Sequence, residues 1–461
     1  MAESGMDKEY FSLRELFISE ALEPMNRFLR MEASSSILLL LGAAFALIWA
    51  NSYFAEAYTA LWHTEFALHL GHSSFGMNLL EWINEGLMAF FFLLIGLEIK
   101  REILVGELSS LKAALLPVIG AFGGMVVPGL VYSLFNWGTP QMSGWAIPMA
   151  TDVAFALGAL ALLGRGLPSG LRIFLAAFAI ADDIGGVLII AFFYTGELSL
   201  TYLALSGGVA LLMALAGLLR FRSLFLFGGL GIILWVCVFY SGVHSTIAGV
   251  VVALLIPARG RYGYEYFYKK VNSILDHCKD PNVDACYWFS MLMDKDYLDT
   301  AHRLRMASTE VEPPFQRLEH AIHPWVAFVI LPLFALANAG VILQGASLGE
   351  ALANPVTLGI ILGLFVGKPI GVFLACQLAV RLGVASLPEG VNWTQVAAVA
   401  LLGGIGFTVS LFISGLAFVQ ADLLNFAKLG VLMGSAIAGV LGAVFLKLST
   451  GRGRSKAQLQ E

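Results

Sequence analysis

Asp182 and Asp183 stand side by side in Phe178-Ala-Ile-Ala-Asp-Asp-Ile-Gly-Gly186, a stretch with no other charge between Arg172 and Glu197. Asp152 closes Trp145-Ala-Ile-Pro-Met-Ala-Thr-Asp152, next to Thr151, and Lys368 breaks an otherwise uncharged run at Gly367-Lys-Pro369. Carboxylate, carbonyl and hydroxyl oxygens are the donors a hard cation takes. Desolvation also makes a carboxylate easier to protonate near neutral pH. One buried carboxylate can therefore hold a cation or a proton but not both, and that competition exchanges one for the other if the group meets each side of a membrane in turn. Two embedded aspartates sharing a proton would also suit an intramembrane aspartyl protease, but the Tyr-Asp and Gly-x-Gly-Asp patterns of those enzymes occur at none of Asp152, Asp182 and Asp183. A cation channel is the other alternative, and it would show conductance far above the turnover of a carrier. These residues point to a transporter and away from an enzyme.

Groups of this kind need membrane helices to hold them. The chain has 461 residues, 58% hydrophobic and only 13% charged, with mean hydropathy +0.81; soluble domains carry about 25% charged residues, so a soluble globular protein is excluded. Uncharged intervals such as Ala113 to Thr151, Ser223 to Ala258 and Gly390 to Gln420 reach or exceed the roughly 18 residues that cross a bilayer. The pattern predicts an all-α integral membrane protein of about twelve spans. Their limits are 34–52, 79–101, 113–135, 142–164, 171–194, 199–219, 223–240, 243–258, 324–342, 355–380, 394–418 and 425–447. All of the 27 lysines and arginines except Lys368 and Lys428 then fall in alternate loops or the two ends, which places both termini in the cytoplasm. Lys428, near the outer end of span 12, is expected to snorkel to the interface. Lys368 has no such escape. A charge at mid-bilayer costs roughly 2.5 to 3.5 kcal/mol, so Asp152, Asp182, Asp183 and Lys368 mark function more than they mark glue between helices.

Span 4 is interrupted at Pro148, just before Thr151 and Asp152, and span 11 at Gly403-Gly-Ile-Gly-Phe-Thr-Val-Ser410. Interrupted spans in matching places of spans 3–5 and 10–12 predict two inverted three-helix repeats with a site at the midplane. Asp152 can offset the positive ends of the half-helices there and Lys368 the negative ones. Asp182 and Asp183 point about 100° apart on one helix, so one faces the ion pathway and the other a neighbouring helix. Glu98 and Glu102 share a face four residues apart, as do Glu319 and His323, with His320 beside them. Histidine titrates between pH 5 and 8, so this group suits a pH response at the cytoplasmic side.

The domain reading is a cytoplasmic segment 1–33, spans 1–8 over 34–258, a cytoplasmic loop with an insertion over 259–323, spans 9–12 over 324–447, and a tail 448–461. The polar stretch 260–313 reads as a loop or a short helical hairpin. The loop after span 1, with Phe66, Leu68 and Leu70 alternating beside His63, His69 and His72, reads as a small external hairpin. No basic region followed by a short apolar core marks a signal peptide. Net charge −5 and pI near 5.9 argue against a nucleic-acid partner. Cys278, Cys286 and His277 fit no zinc spacing, Cys237 and Cys376 sit in apolar spans, and no cofactor or disulfide framework is expected.

At these residues the chain resembles the NhaA family of bacterial sodium/proton antiporters. The segments that carry the likeness are Phe91-Phe-Leu-Leu-Ile-Gly-Leu-Glu-Ile-Lys-Arg-Glu102, Trp145 to Leu157, Ala181-Asp-Asp183, Ser241 to Gly249, Arg317-Leu-Glu-His-Ala-Ile-His-Pro-Trp325, Leu336-Ala-Asn-Ala-Gly340, Gly367-Lys-Pro369 and Gly404-Ile-Gly-Phe-Thr408. The likeness runs from about 34 to 447 outside the insertion, which is longer than the family's usual connection, and Glu85 stands where relatives often have Asp. It implies exchange of internal sodium, with lithium as a second candidate, for external protons, electrogenic and pH-regulated, serving sodium and pH homeostasis. It implies that Asp182 and Asp183 bind the cation and proton, with Thr151 and Asp152 beside them, and that Lys368 pairs with Asp182 or compensates the crossing. Glu98, Glu102, Glu319, His320 and His323 would form the pH-response region. A homodimer in the bacterial inner membrane is the expected assembly.

Overall fold

The computed structural model describes residues 34–70, 73–163, 167–260, 263–276, 295–342 and 348–457. The segment 1–33, the connection 277–294 with His277, Cys278 and Cys286, and the loop residues His72 and Arg165 lie outside the described residues. In chain order the α-helices of more than six residues are α1 (Ser34–Ala50), α2 (Ala55–Trp62), α3 (Met88–Val105), α4 (Leu111–Asn136), α5 (Val153–Leu163), α6 (Ser169–Phe193), α7 (Leu200–Leu218), α8 (Leu224–Ser241) and α9 (Ile247–Leu255). They continue with α10 (Tyr264–Asp276), α11 (Lys295–Val311), α12 (Pro314–Trp325), α13 (Leu331–Asn338), α14 (Pro355–Leu362), α15 (Lys368–Arg381), α16 (Trp393–Leu402), α17 (Phe407–Ala417) and α18 (Ala421–Ala457). Strands β1 (Glu65–Leu70) and β2 (Ser73–Asn78) pair antiparallel, Phe66 opposite Met77, which is the hairpin expected after span 1.

Among the described residues, eight helices are long and apolar enough to cross a membrane, and up to ten if each of two bent pairs is one crossing. Two of the twelve expected spans fall short for visible reasons. The eighth reduces to the nine residues of α9, and the second carries Glu98, Lys100, Arg101 and Glu102 in the last turns of α3. The ninth begins earlier than expected: α12 starts at Pro314 and joins α13 through a π turn, Val326–Ile330. Pro332 has no N–H to give back along the helix, and there the ladder slips so that the Leu331 N–H reaches the Val326 carbonyl, five residues back.

The chain forms two compact units. The first comprises Met1–Phe91, Arg101–Thr195 and Trp325–Glu461, the second Phe92–Lys100 and Gly196–Pro324. In the second, α7, α8 and α9 bury Met213, Phe227, Leu234, Ala248 and Val252 with Leu93 and Leu97 in one apolar cluster. Lys100 donates to the carbonyls of Ala253 at 3.3 Å and Leu254 at 2.7 Å, and to that of Ile256, a cation on the negative end of α9. The insertion contributes α10 and α11, tied by the Lys270–Glu310 ion pair at 2.7 Å.

The first unit holds every intramembrane charge singled out above. One close crossing sets α4 against α15 at Gly123 and Gly371: a Cβ on either would fall on the other's carbonyl oxygen. This brings the start of α15, and with it Lys368, close to the helices of the site. Gly371→Ala must push the two helices apart and is expected to cost about 1 to 3 kcal/mol. The readout is the melting temperature of the purified protein in detergent, and an unchanged value would refute so close a crossing.

Lys428 departs from expectation. It is buried, 8% exposed, two turns into α18, which starts at Ala421, four residues before the expected 425.

Candidate functional site

The site is built where two interrupted spans meet. A 3-10 segment, Pro140–Met149, stops before the extended residue Ala150 (φ −74°, ψ 147°), and α5 resumes the span at Val153. Pro148 lies inside the 3-10 segment and cannot continue a regular ladder. On the other side α16 and α17 are bent by 47° at Gly403–Gly406. Close approach demands glycine at 406, since a Cβ there would come within 2.9 Å of the Ala150 carbonyl oxygen.

Half-helices leave N–H and C=O groups unmatched at their broken ends, and the two chains satisfy each other. The Thr151 hydroxyl donates to the Gly403 carbonyl at 2.9 Å, and the Asp152 N–H donates to the Ile405 carbonyl at 2.6 Å. The Asp152 carboxylate serves two helix starts. Its Oδ1 accepts from the Phe155 N–H of α5 at 3.2 Å; its Oδ2 accepts from the Thr408 N–H of α17 at 3.0 Å and from the Thr408 hydroxyl at 2.6 Å. A carboxylate at two positive helix ends is electrostatically matched, so Asp152 works as a shared cap. Ser410 donates to the Ile147 carbonyl at 2.7 Å, and Ser435 of α18 accepts from the N–H groups of Gly406 and Phe407 at 3.2 Å each.

Asp182 and Asp183 lie mid-way along α6, both buried, Asp183 the more accessible at 9% against 2% for its neighbour. Lys368, fully buried at the start of α15, donates to Asp182 Oδ2 at 2.7 Å and also to the Met149 carbonyl. The lysine is delivered by a π turn, Gly363–Gly367: Pro369 cannot donate to the carbonyl four residues back, and the Lys368 N–H bonds to Gly363, five back. Asp183 is within electrostatic reach of the same ammonium. Asp182 Oδ1 makes no hydrogen bond of good geometry among the described residues, although Thr151 lies within polar reach of the carboxyl. The carboxyl borders a cavity of about 10 Å3 walled by Met125, Ala146, Met149, Ala150 and Ile413, roughly one probe sphere in size. A buried acceptor left this way is costly unless it is used.

Thus Thr151, Asp152, Asp182, Asp183 and Lys368 are all on the elements that build this one site in the first unit. Sequence reasoning missed Thr408 as the partner of Asp152, the Met149 carbonyl as the second acceptor of Lys368, and Ser435 altogether. Of the pH-response candidates, Glu98, Glu319, His320 and His323 belong to the second unit and Glu102 to the first. Glu319 is buried; His320 lies at the surface with Nδ1 3.9 Å from Glu312 Oε1. Glu102 Oε1 accepts from the Glu107 N–H at 2.7 Å, closing the turn after α3, a local capping role that its spacing from Glu98 did not suggest.

The family model described as Na+/H+ antiporter 1 matches residues 26–446. The curated Na(+)/H(+) antiporter NhaA 2 of Sorangium cellulosum is 45% identical over 425 residues, 91% of this chain and 88% of that one. The Na(+)/H(+) antiporter NhaA of Koribacter versatilis is 43% identical over 444 residues, 96% of this chain and 95% of that one. That of Helicobacter pylori strain G27 is 42% identical over 424 residues, 92% and 94% of the two chains.

Proposed function

The chain belongs to the Na+/H+ antiporter 1 family, and we propose that its exchange of sodium for protons runs through Asp182, Asp183 and Lys368 beside the crossing at Thr151 and Asp152. It is a multi-pass membrane transporter. The observation that carries the site is the fully buried Lys368–Asp182 pair with Asp183 next to it on α6.

A buried ion pair stays favourable only while both members keep their charge. A sodium ion arriving at the two carboxylates competes with the ammonium for Asp182 and with a proton for Asp183. If it wins, one proton leaves Asp183 and a second leaves Lys368, or Asp182 in the form where it holds the proton. Two protons then cross for each sodium ion, so the exchange moves net charge. Lys368 keeps its hydrogen bond to the Met149 carbonyl meanwhile, which holds the amine in place for the return. Lithium, a smaller hard cation, fits the same donors.

The two interrupted spans support an inverted-repeat arrangement that opens this site to either side in turn. Glu98, Glu102, Glu319, His320 and His323 are the proposed pH-response residues. The charge pattern of the loops supports cytoplasmic termini in a bacterial inner membrane, with the external β-hairpin as a candidate contact of a homodimer. Everted vesicles holding a respiration-driven pH gradient test the reading. Added sodium is expected to collapse the gradient, and potassium to leave it. A gradient indifferent to sodium and lithium across pH 6 to 9 would overturn the assignment, and a sodium rate indifferent to a clamped membrane potential would overturn the two-proton count.

A further inference from the structure

We propose that Ser435 is a positioning residue for the cation site, acting through the start of α17, an inference that rests on the exchange reading above. The start of α17 cannot cap itself. The N-cap of α17 is Gly406, which has no side chain to offer and makes no side-chain cap, and glycine is required there because of the Ala150 carbonyl. The N–H groups of Gly406, Phe407 and Thr408 thus depend on partners from elsewhere in the chain.

Of these, the Thr408 N–H is taken by Asp152 Oδ2. The Gly406 and Phe407 N–H groups both converge on the Ser435 hydroxyl oxygen, 3.2 Å from each. Ser435 is buried and reaches in from α18, a helix that approaches the bend by presenting small residues one turn apart. Gly434 packs on Leu364, Ala438 on Gly404 and Gly442 on Leu402. A larger face would hold α18 too far off for a side chain as short as serine to touch the backbone. The hydroxyl is thus a cap supplied from another helix.

Its effect reaches the ions through Asp152. The same helix start carries Thr408, whose N–H and hydroxyl fix Asp152 Oδ2, and Asp152 in turn fixes the extended residues that present the Met149 carbonyl to Lys368. Without the serine, two buried N–H groups lose their acceptor, and the charged acceptor already bound to the same helix start is Asp152 Oδ2, through Thr408. The start of α17 is then drawn toward that carboxylate, which displaces the Thr151–Asp152 strand and the lysine anchor with it.

Ser435→Ala in everted vesicles is the test, with sodium-dependent exchange measured over a range of sodium concentrations beside the wild type. The expected result is an apparent KM for sodium raised about tenfold with the maximal rate within about twofold, the signature of a shifted binding geometry, and recovery toward wild type in Ser435→Thr, which keeps the hydroxyl. Loss of maximal rate at unchanged KM, or a wild-type KM in Ser435→Ala, overturns the proposal. If Ser435→Ala does not reach the membrane, Ser435→Cys decides: its thiol is a weak acceptor of similar size, so a raised KM supports the proposal and a wild-type KM overturns it. Absence of sodium exchange in the wild type would instead defeat the transport reading itself, so the two failures are distinguishable.

Discussion

Everted vesicles carrying Asp183→Asn are expected to contain as much folded protein as the wild type and to lose sodium-driven collapse of the pH gradient down to the level of vesicles without the transporter. Asparagine has nearly the shape of aspartate, so the packing of α6 is preserved. What disappears is the negative charge and the titrating proton, and a group that neither binds a cation strongly nor releases a proton cannot couple the two fluxes. The structure separates the three intramembrane aspartates on this point. Asp152 commits both carboxylate oxygens to helix starts. Asp182 is held by Lys368 at 2.7 Å. Asp183 is the most accessible of the three, at 9%, and lies within electrostatic reach of the same lysine. It is the group best placed to meet an ion entering from water. Measuring the initial rate at saturating sodium, with protein quantified in the same membranes, checks the prediction. Exchange at the wild-type rate would show that the carrier group is elsewhere.

The parts of this site that the sequence made legible are those that violate the rules of an apolar helix. Asp182, Asp183, Asp152 and Lys368 are visible because each is a charge in a run that otherwise excludes charge, and the costs of burial make such positions informative. The breaks are visible for a related reason: Pro148 and the glycines at 403, 404 and 406 are poor helix interiors. The π turns before Pro332 and Pro369 had the same signal in the prolines, although proline alone does not say whether a helix kinks, ends or slips by one carbonyl. Ser435 had no signal. A serine in an apolar helix is unremarkable, and its importance depends on which backbone lies opposite, which only the crossing of α18 with the bend decides. Lys428 shows the converse. It was read as reaching the interface, yet it is buried, because burial depends on what packs against that face of α18 and not on its place along the helix. Pairing was legible only through the family likeness, which offered Asp182 or the crossing itself for Lys368: the charges are explicit in the chain, whereas which of the two the lysine meets is a matter of which helices touch.

Lys368→Met is expected to be among the most destabilising single changes in the protein, and the double variant Asp182→Asn/Lys368→Met far less so. The lysine is wholly buried, and methionine retains much of its volume, so lost packing is a minor part of the effect. The major part is electrostatic. Asp182 Oδ1 already makes no hydrogen bond of good geometry among the described residues, and Oδ2 owes its 2.7 Å contact to the ammonium. Removing the lysine leaves a buried carboxylate without its counter-charge, with Thr151 as a neutral polar neighbour, and the Met149 carbonyl loses its donor too. Breaking one side of a buried ion pair costs about 3 to 5 kcal/mol, whereas replacing both sides with neutral groups is often close to neutral. The melting temperature of the detergent-purified protein should therefore fall by on the order of 5 °C or more in the single variant and recover most of that in the double one. The cycle separates two explanations that a single mutant confounds. If the lysine acts mainly as a packed stem or as the cap of the Met149 carbonyl, the double variant remains as unstable as the single. If it acts as the counter-charge of Asp182, removing the charge it answers restores the fold while leaving Asp183 alone to carry protons. The double variant is then stable enough for its exchange to be measured, and a rate unaffected by membrane potential there would identify the Lys368–Asp182 pair as the source of the second proton.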